Sequence, residues 1–203
     1  MYPFAGEGAD DYGGPYREVF TCACSELQNQ AALPMFLLTP NGQINQGSNR
    51  DRYVIDPSST TPEALKWFEF LGVLIAICLL QKETVLSLNL CSVLWKQLVQ
   101  QPRTATDLEA FDERVCHSLY KIRDIEDEGI DEDSFEDLFF LEFTTQLSNG
   151  DEVEVCEGGS ALEVTFQNRK RYVEMVLKKR LVEGHAQTHA ILRGVASMVP
   201  VRL

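Results

Sequence analysis

At 203 residues the chain has the length of one large domain or two small ones, enough to bury a core. Its 44% hydrophobic and 24% charged residues are globular values. The net charge of −13 excludes a nucleic-acid or anionic-membrane surface, which needs clustered Lys and Arg, but suits a basic protein partner.

The chain opens with Gly6, Gly8, Gly13 and Gly14, four glycines in nine residues, mixed with Asp10 and Asp11. Glycine takes positive φ freely, so this run predicts a tight shaped turn. Pro15 suits the first position of a helix, predicted over residues 14–30. A phosphate cradle is a poor reading, because no Lys follows, Walker spacing is absent and the two acids repel an anion. Leu33–Thr39 reads as a strand ended by a turn at Pro40-Asn41-Gly42, residues 43–50 as polar loop and Arg52–Ile55 as a short strand. Thr60 is the expected N-cap of the next helix, with Pro62 in its first turn and Glu63 closing a capping box. That helix runs to about Gln81 and is apolar nearly all round, so it should be covered on most sides and centre the fold. Its apolar run, Phe68 to Leu80, is 13 residues long, against about 20 for a membrane span.

Leu88–Gln100 reads as another helix, broken at Gln101-Pro102-Arg103, and Thr104-x-x-Asp107 starts a helical pair. Leu138–Gln146 and Glu152–Cys156 read as strands flanking Asn149-Gly150, the strongest short hairpin signal. Two helices follow, Asn168 to about Glu183 and His185 to about Ser197. The fold class is α+β, mainly helical with small sheets.

Chemistry-bearing patterns are few. The run Asp124–Asp137 carries nine acids in fourteen residues and has Gly129 placed as in an EF-hand loop. Its twelfth position is Phe135, where calcium needs a bidentate Glu, so the run reads as a solvated acidic loop. His185 and His189 share a helix face, but Ala186 stands where the zinc-protease motif needs Glu, and no third ligand is evident. Cys116 and His117 point in different directions on a helix, and Cys116 reads as structural. Cys22, Cys24, Cys78, Cys91, Cys116 and Cys156 form no C-x-x-C pair. Together with the lack of a signal-peptide pattern, this predicts reduced thiols in an intracellular, cytoplasmic or nuclear setting. No catalytic residue, cofactor or metal site is expected.

What remains is an apolar stripe, Val115, Leu119, Ile122 and Ile125, with Phe139 and Leu141 on one strand face and Tyr172 and Val176 one helical turn apart. Periodicity alone reads these eight as core rather than interface.

The run Gly6-Glu7-Gly8-Ala9-Asp10-Asp11-Tyr12-Gly13-Gly14-Pro15-Tyr16-Arg17-Glu18 resembles the G-E-G-x-D-x-G-G-x-x-R-E signature of the HECT ubiquitin ligases, near the start of their N-terminal lobe. Asn49-Arg50-Asp51-Arg52-Tyr53, Phe68-x-Phe70-Leu71-Gly72, Val93-Leu94-Trp95-Lys96-Gln97-Leu98, Ser118-Leu119 and Asn168-Arg169-Lys170-x-Tyr172-Val173 are similar to later landmarks of that lobe, in order. Trp95-Lys96-Gln97-Leu98 and Val199-Pro200-Val201 most resemble the giant HERC-class members. The resemblance covers essentially the whole chain.

It implies most of a HECT N-terminal lobe, with residues 1–103 and about 181–203 as a large subdomain and about 104–180 as a small one. The family's catalytic cysteine sits in a C-terminal lobe expected beyond Leu203, so the chain alone should be inactive. The implied partners are a ubiquitin-conjugating enzyme and, in the parent enzyme, ubiquitin and a protein substrate. The groove that receives the conjugating enzyme falls by resemblance on Val115, Ser118, Leu119, Ile122, Ile125, Asp137, Leu138, Phe139, Leu141, Tyr172 and Val176. It is centred on Leu119, Phe139 and Tyr172, which would then face solvent in the free protein. Leu138 departs from the family pattern, standing where some members carry an acid. The alternatives are an interaction module that has lost ligase function, and a metal-binding domain using the acidic run or the His pair.

Overall fold

A computed structural model describes residues 14–81 and 85–200. The glycine-rich run up to Gly13, and Val201, lie outside them. In chain order the described residues form α1 (Gly14–Gln28), β1 (Phe36–Leu38), α2 (Pro40–Gln43), β2 (Tyr53–Ile55), α3 (Pro62–Leu80), α4 (Ser92–Leu98), α5 (Ala105–Glu109) and α6 (Glu113–Arg123). Next come α7 (Glu132–Leu138), β3 (Thr144–Gln146), β4 (Glu152–Glu154), α8 (Arg169–Leu181) and α9 (His185–Ala196), with 3-10 turns at Ile125–Glu128 and Gly159–Ala161. The fold is α+β and mainly helical, with two-stranded sheets β1-β2 and β3-β4. The described residues divide into two compact units, residues 14–36, 59–81, 85–89 and 186–200, and residues 37–58 and 90–185.

The first unit is built on α1, α3 and α9. Phe20, Cys24 and Leu27 of α1, Phe68 and Leu71 of α3, and Ala190 and Ile191 of α9 are buried. Phe36 meets Phe68 edge-on at 5.9 Å. The crossing of α3 and α9 depends on two glycines. A Cβ on Gly72 would stand 2.0 Å from the Ile191 carbonyl oxygen, and one on Gly194 would stand 1.9 Å from that of Glu69. Two sequence expectations are corrected here. The N-cap of α3 is Thr61, not Thr60: its Oγ1 accepts from Ala64 N at 3.2 Å. Pro62 at the first helical position fixes this, since the residue before a proline is pushed into the extended region and becomes the cap. Nor is α3 covered on most sides among the described residues, for Trp67, Phe70, Leu79 and Leu80 are exposed.

The second unit carries α4 to α8 and the hairpin. The expected turn at Pro40-Asn41-Gly42 is a short helix capped by Thr39, whose Oγ1 accepts from Gly42 N at 3.0 Å. Asn41 is buried and pins this segment to the start of α6, its Oδ1 accepting from Glu113 N at 2.9 Å and its backbone N–H donating to Phe111 O at 3.1 Å. The expected helix over Leu88–Gln100 shrinks to Ser92–Leu98, because Leu90 bridges Tyr53 as a parallel partner and Cys91 N donates to Tyr53 O at 2.8 Å. The Thr104/Asp107 box holds: Asp107 Oδ2 accepts from Thr104 N at 2.8 Å. Lys96 Nζ reaches Asp107 Oδ1 at 2.6 Å. Burial by itself would raise the Asp107 pKa, but these donors outweigh it and hold the carboxyl below the usual range.

The acidic run is helical rather than loop. Asp131 Oδ1 caps α7 by accepting from Ser134 N at 3.0 Å, and Phe135 supplies an apolar inner face. The hairpin forms as predicted, with Thr144↔Glu154, Thr145↔Val153 and Gln146↔Glu152 in register and Gly150 at φ +89°.

Candidate protein-docking site

Local chemistry sets α6 and α8 against one cluster. Asp112 Oδ1 accepts from Val115 N at 3.2 Å and starts α6, while Lys121 and Arg123 suit the negative end of its dipole. The spacing of Leu119, Ile122 and Ile125 then presents one stripe, continued into the 3-10 turn. Asn168 precedes α8 and ties the incoming loop, its Oδ1 accepting from Thr165 N at 2.8 Å. Tyr172, Val173 and Val176 face inward. They join Leu119, Ile122, Ile125, Phe135, Phe143 and Val164 in one buried cluster.

Of the eleven residues singled out in the sequence, Leu119, Ile122, Ile125, Tyr172 and Val176 are in this cluster. Val115, Phe139 and Leu141 are half-buried and pack on its outside. Ser118, Asp137 and Leu138 are exposed. All are therefore in the second unit, with eight sharing a single apolar body. The expectation that Leu119 and Tyr172 face solvent is corrected: they are 3% and 7% exposed and make a floor, not a rim. The Tyr172 hydroxyl also has an internal role, donating to Thr144 O at 3.1 Å with its ring edge-on to Phe143 at 5.5 Å. Burial, then the nearby Glu152 carboxylate, push its pKa up.

The segment expected as the first part of a strand behaves differently. Leu138 is the last residue of α7, and the regular strand starts only at Thr144. Between them the chain is irregular, extended at Phe139 and partly paired: Leu141 O accepts from Val164 N at 2.8 Å, Phe143 N donates to Leu162 O at 3.0 Å, and Glu142 bridges Glu163. An extended backbone alternates its side chains. Phe139, Leu141 and Phe143 turn inward, with Phe139 stacked on Phe135 at 4.8 Å, while Phe140 and Glu142 turn outward; Leu138 is exposed at the end of α7. Phe140 is 83% exposed, and the sequence reading passed over it. The run Phe139-Phe140-Leu141 was the available signal, since three consecutive apolar residues past the helix end cannot all face one way.

The margin is acidic. Glu126 is held by α8, with Arg169 Nη2 at 2.6 Å and Lys170 Nζ at 3.2 Å, and these two donors, Arg169 first, lower its carboxyl pKa. Arg169 also lies over the Phe166 ring, its guanidinium carbon 4.0 Å from the ring centre. Asp127, Glu136, Asp137 and Glu142 are exposed.

Other candidate chemistry does not assemble. Cys116 is fully buried, and desolvation, followed by the Asp112 and Glu109 charges, pushes its thiol up to about 12. His117 points to Glu109 and Glu113 at 4.0 Å and 3.9 Å. His185 and His189 are exposed. Among the described residues no group of three or more His, Cys, Asp or Glu is placed to hold a metal ion, and no helix is long and apolar enough to cross a membrane.

Comparison with known proteins agrees with the motif series. The model of the HECT-domain (ubiquitin-transferase) family matches residues 21–203. The chain belongs to this family. HECT relatives include E3 ubiquitin-protein ligase HERC2 of Mus musculus, 36% identical over 200 residues that make up 98% of this chain and 4% of the relative. E3 ubiquitin-protein ligase HECW1 of Homo sapiens is 31% identical over 207 residues, 98% of this chain and 12% of that protein. E3 ubiquitin-protein ligase pub1 of Schizosaccharomyces pombe is 30% identical over 209 residues, 100% of this chain and 25% of that one. The chain thus spans between 4% and 25% of the length of these HECT ligases.

Proposed function

We propose that this chain is the part of a HECT ubiquitin ligase that docks a ubiquitin-conjugating enzyme, so that ubiquitin passes to a cysteine elsewhere in the parent enzyme and then to a substrate lysine. Family membership supplies the ligase reading. The docking surface is the outer face of the second unit's cluster, where half-buried Val115, Phe139 and Leu141 lie over the floor of Leu119, Ile122, Tyr172 and Val176. The observation that carries the reading is this convergence: three stretches far apart in sequence, residues 115–125, 137–141 and 172–176, meet on one apolar body with an acidic margin. Apolar anchors in a desolvated pocket carry most interface energy, and surrounding acids steer a basic partner and raise its on-rate. Hand-over and release of the carrier require a transient contact, so the dissociation constant is expected to be of order micromolar.

The test is titration of the chain against a panel of ubiquitin-conjugating enzymes, with Val115→Asp as the variant. Wild type should bind at least one member at about micromolar strength. Val115→Asp should lose that binding while keeping its far-UV spectrum, since Val115 lies outside the buried cluster. No binding by wild type to any member would favour a module without ligase function.

A further inference from the structure

We infer that the turn of the β3-β4 hairpin is a self-modifying site, at which Asn149 loses its side-chain amide to give aspartate and isoaspartate, and that this change loosens the clamp between α8 and α6. The inference does not depend on the docking function proposed above.

The sequence has two Asn-Gly pairs, Asn41-Gly42 and Asn149-Gly150. A glycine after asparagine leaves the main-chain nitrogen open to the neighbouring carboxamide, because no Cβ stands in the way. The reaction needs only water. The Gly150 nitrogen gives up its proton and bonds to Asn149 Cγ, and Nδ2 leaves with a proton as ammonia. Water then opens the five-membered imide. Breaking the new bond to Cγ leaves aspartate, and breaking the bond from the same nitrogen to the Asn149 main-chain carbonyl carbon leaves isoaspartate. Nothing is oxidised or reduced.

The fold separates the two pairs. Asn149 is half-buried and Gly150 exposed, in a turn that places Gly150 at φ +89°. The Asn149 carboxamide bonds two residues on, Nδ2 donating to Asp151 Oδ2 at 2.6 Å and Oδ1 accepting from Asp151 N at 3.0 Å. The attacking nitrogen is restrained by its bond to Leu147 O at 2.9 Å, and such a bond at a loop tip opens at low cost. Asn41 is 1% exposed, and its carboxamide holds three distant segments together. Its Oδ1 accepts from Glu113 N at 2.9 Å, and Nδ2 donates to Ser48 O at 3.0 Å and Ala110 O at 3.4 Å. Gly42 lies inside α2, donates from N to Thr39 Oγ1 at 3.0 Å, and is packed so closely that a Cβ there would strike Arg50 O. Asn41 therefore reacts only after α2 leaves the start of α6.

The consequence runs through Ser148. Its N donates to Glu183 Oε1 at 2.8 Å, its O accepts from Gln43 Nε2 at 3.0 Å, and its Oγ accepts from Arg180 Nη2 at 3.3 Å. Arg180 also pairs with Asp112 at the start of α6. On the far side of the turn, Leu147 N donates to Asp151 O at 2.9 Å. Isoaspartate adds a methylene to the main chain between these two anchors. Either product places a carboxylate where Nδ2 now donates to Asp151, so an attraction becomes a like-charge repulsion. Both changes push on Ser148 and so on the Arg180 clamp.

The experiment holds the purified chain in warm, mildly alkaline buffer, with and without urea. Aspartate and isoaspartate are mapped by proteolysis, mass spectrometry and enzymatic carboxyl methylation. In native protein Asn149 should convert at least about tenfold faster than Asn41, and in urea the two rates should converge. Native Asn149 as slow as Asn41, or native Asn41 as fast as Asn149, would overturn the site. The isoaspartate form, separated by ion exchange, should melt below fresh protein. Asn149→Asp carries the charge without the added methylene and should melt between them. An isoaspartate form that melts with fresh protein would cut the link to the Arg180 clamp.

Discussion

Arg180 Nη2 lies 2.9 Å from Asp112 Oδ2, with the two side chains 1% and 6% exposed. The same guanidinium donates from Nε to Glu183 Oε2 at 2.9 Å and from Nη2 to Ser148 Oγ at 3.3 Å. Ser148 N in turn donates to Glu183 Oε1 at 2.8 Å. One cation so ties the last turn of α8 to the N-cap of α6 and to the turn of the β3-β4 hairpin, and thereby fixes the two helices that line the proposed docking face. Arg180→Ala would leave two carboxylates in the interior without their counter-ion. We expect a loss of about 3–5 kcal/mol in urea unfolding, as for other broken buried pairs. Arg180→Lys should recover only part, because an ammonium lacks the planar fork that serves three acceptors. A loss for Arg180→Ala of below about 1 kcal/mol, the size of a surface pair, would remove the network from the account.

The Asp107 carboxyl gives a prediction with a pH window. Its pKa is lowered in the folded protein, so the stability it contributes is present above the usual carboxylate pKa, about 3.9, and is lost as pH falls through the lower folded value. Asp107→Ala removes half of the capping box and should cost about 1 kcal/mol at pH 7. The gap between wild type and variant should narrow as the pH is taken below about 4. Urea titrations of both proteins at pH 7 and pH 3 measure it. A gap that widens in acid would reverse the sign of this argument.

Much of this fold is legible in the sequence, and the misses share a cause. The Thr104/Asp107 box, the Asn149-Gly150 hairpin and the helices α8 and α9 were readable because each rests on local chemistry within a few residues. The helix predicted over Leu88–Gln100 failed at its start because Leu90 and Cys91 are claimed by Tyr53, some forty residues earlier, a long-range pairing that no local propensity records. The acidic run was misread for the opposite reason: its charges argue for loop, while a single inward Phe135 and a cap at Asp131 suffice for a short helix. At the candidate site, periodicity found the stripe Leu119, Ile122 and Ile125 correctly as core, and the family resemblance brought the three stretches together. Neither told floor from rim. That distinction is set by which residues of the segment 139–143 pack on the cluster, and it is why Phe140 escaped notice.

Burial makes Cys116 a sharp test of local packing. With its pKa pushed up to about 12, only about one molecule in ten thousand carries the thiolate at pH 8. Native protein treated with iodoacetamide at that pH should label the exposed Cys22 and leave Cys116 unmodified. Because the folded pKa is raised, the contribution of the neutral thiol is complete below the unfolded value of about 8.5 and is lost as pH climbs from there towards the folded value. The same inertness predicts that Cys116 accepts no ubiquitin. Incubation with activating enzyme, conjugating enzyme and ubiquitin should give no thiol-sensitive adduct at this residue on a non-reducing gel. Rapid native labelling of Cys116 would show that the α5–α6 turn opens.

In the first unit, α3 and α9 touch backbone to backbone at Gly72 and Gly194, each Cβ position lying about 2 Å from a carbonyl oxygen of the other helix. Backbone, unlike the far end of a side chain, cannot swing aside. Gly194→Ala must therefore push the helices apart, and we expect a cost of about 3 kcal/mol, at the upper end of overpacking. Helix propensity alone would favour Ala by about 1 kcal/mol, so the two terms have opposite signs and a melting curve decides between them. A stabilised Gly194→Ala would mean that the crossing is looser than described.

The last prediction concerns Phe139, the residue that sequence reasoning placed at the centre of the docking groove. Its ring is not free: it stacks on Phe135 at 4.8 Å with planes 25° apart, and Phe135 itself is fully buried and meets Phe166 edge-on at 6.0 Å. Phe139 is thus half support and half surface. Truncating a fully buried Phe costs roughly 3–5 kcal/mol, and an aromatic stack adds about 1 kcal/mol beyond area. For a half-buried ring we expect Phe139→Ala to cost about 2 kcal/mol of stability, not the negligible amount a solvent-facing anchor would give. It should also weaken docking, because its half-buried ring is part of the proposed docking face. Phe139→Leu keeps an inward apolar side chain and should restore most of the stability. Melting and titration on the same samples separate the roles. A Phe139→Ala variant with an unchanged melting transition and lost binding would return Phe139 to the status of a free anchor; one that melts early and binds normally would make it core alone.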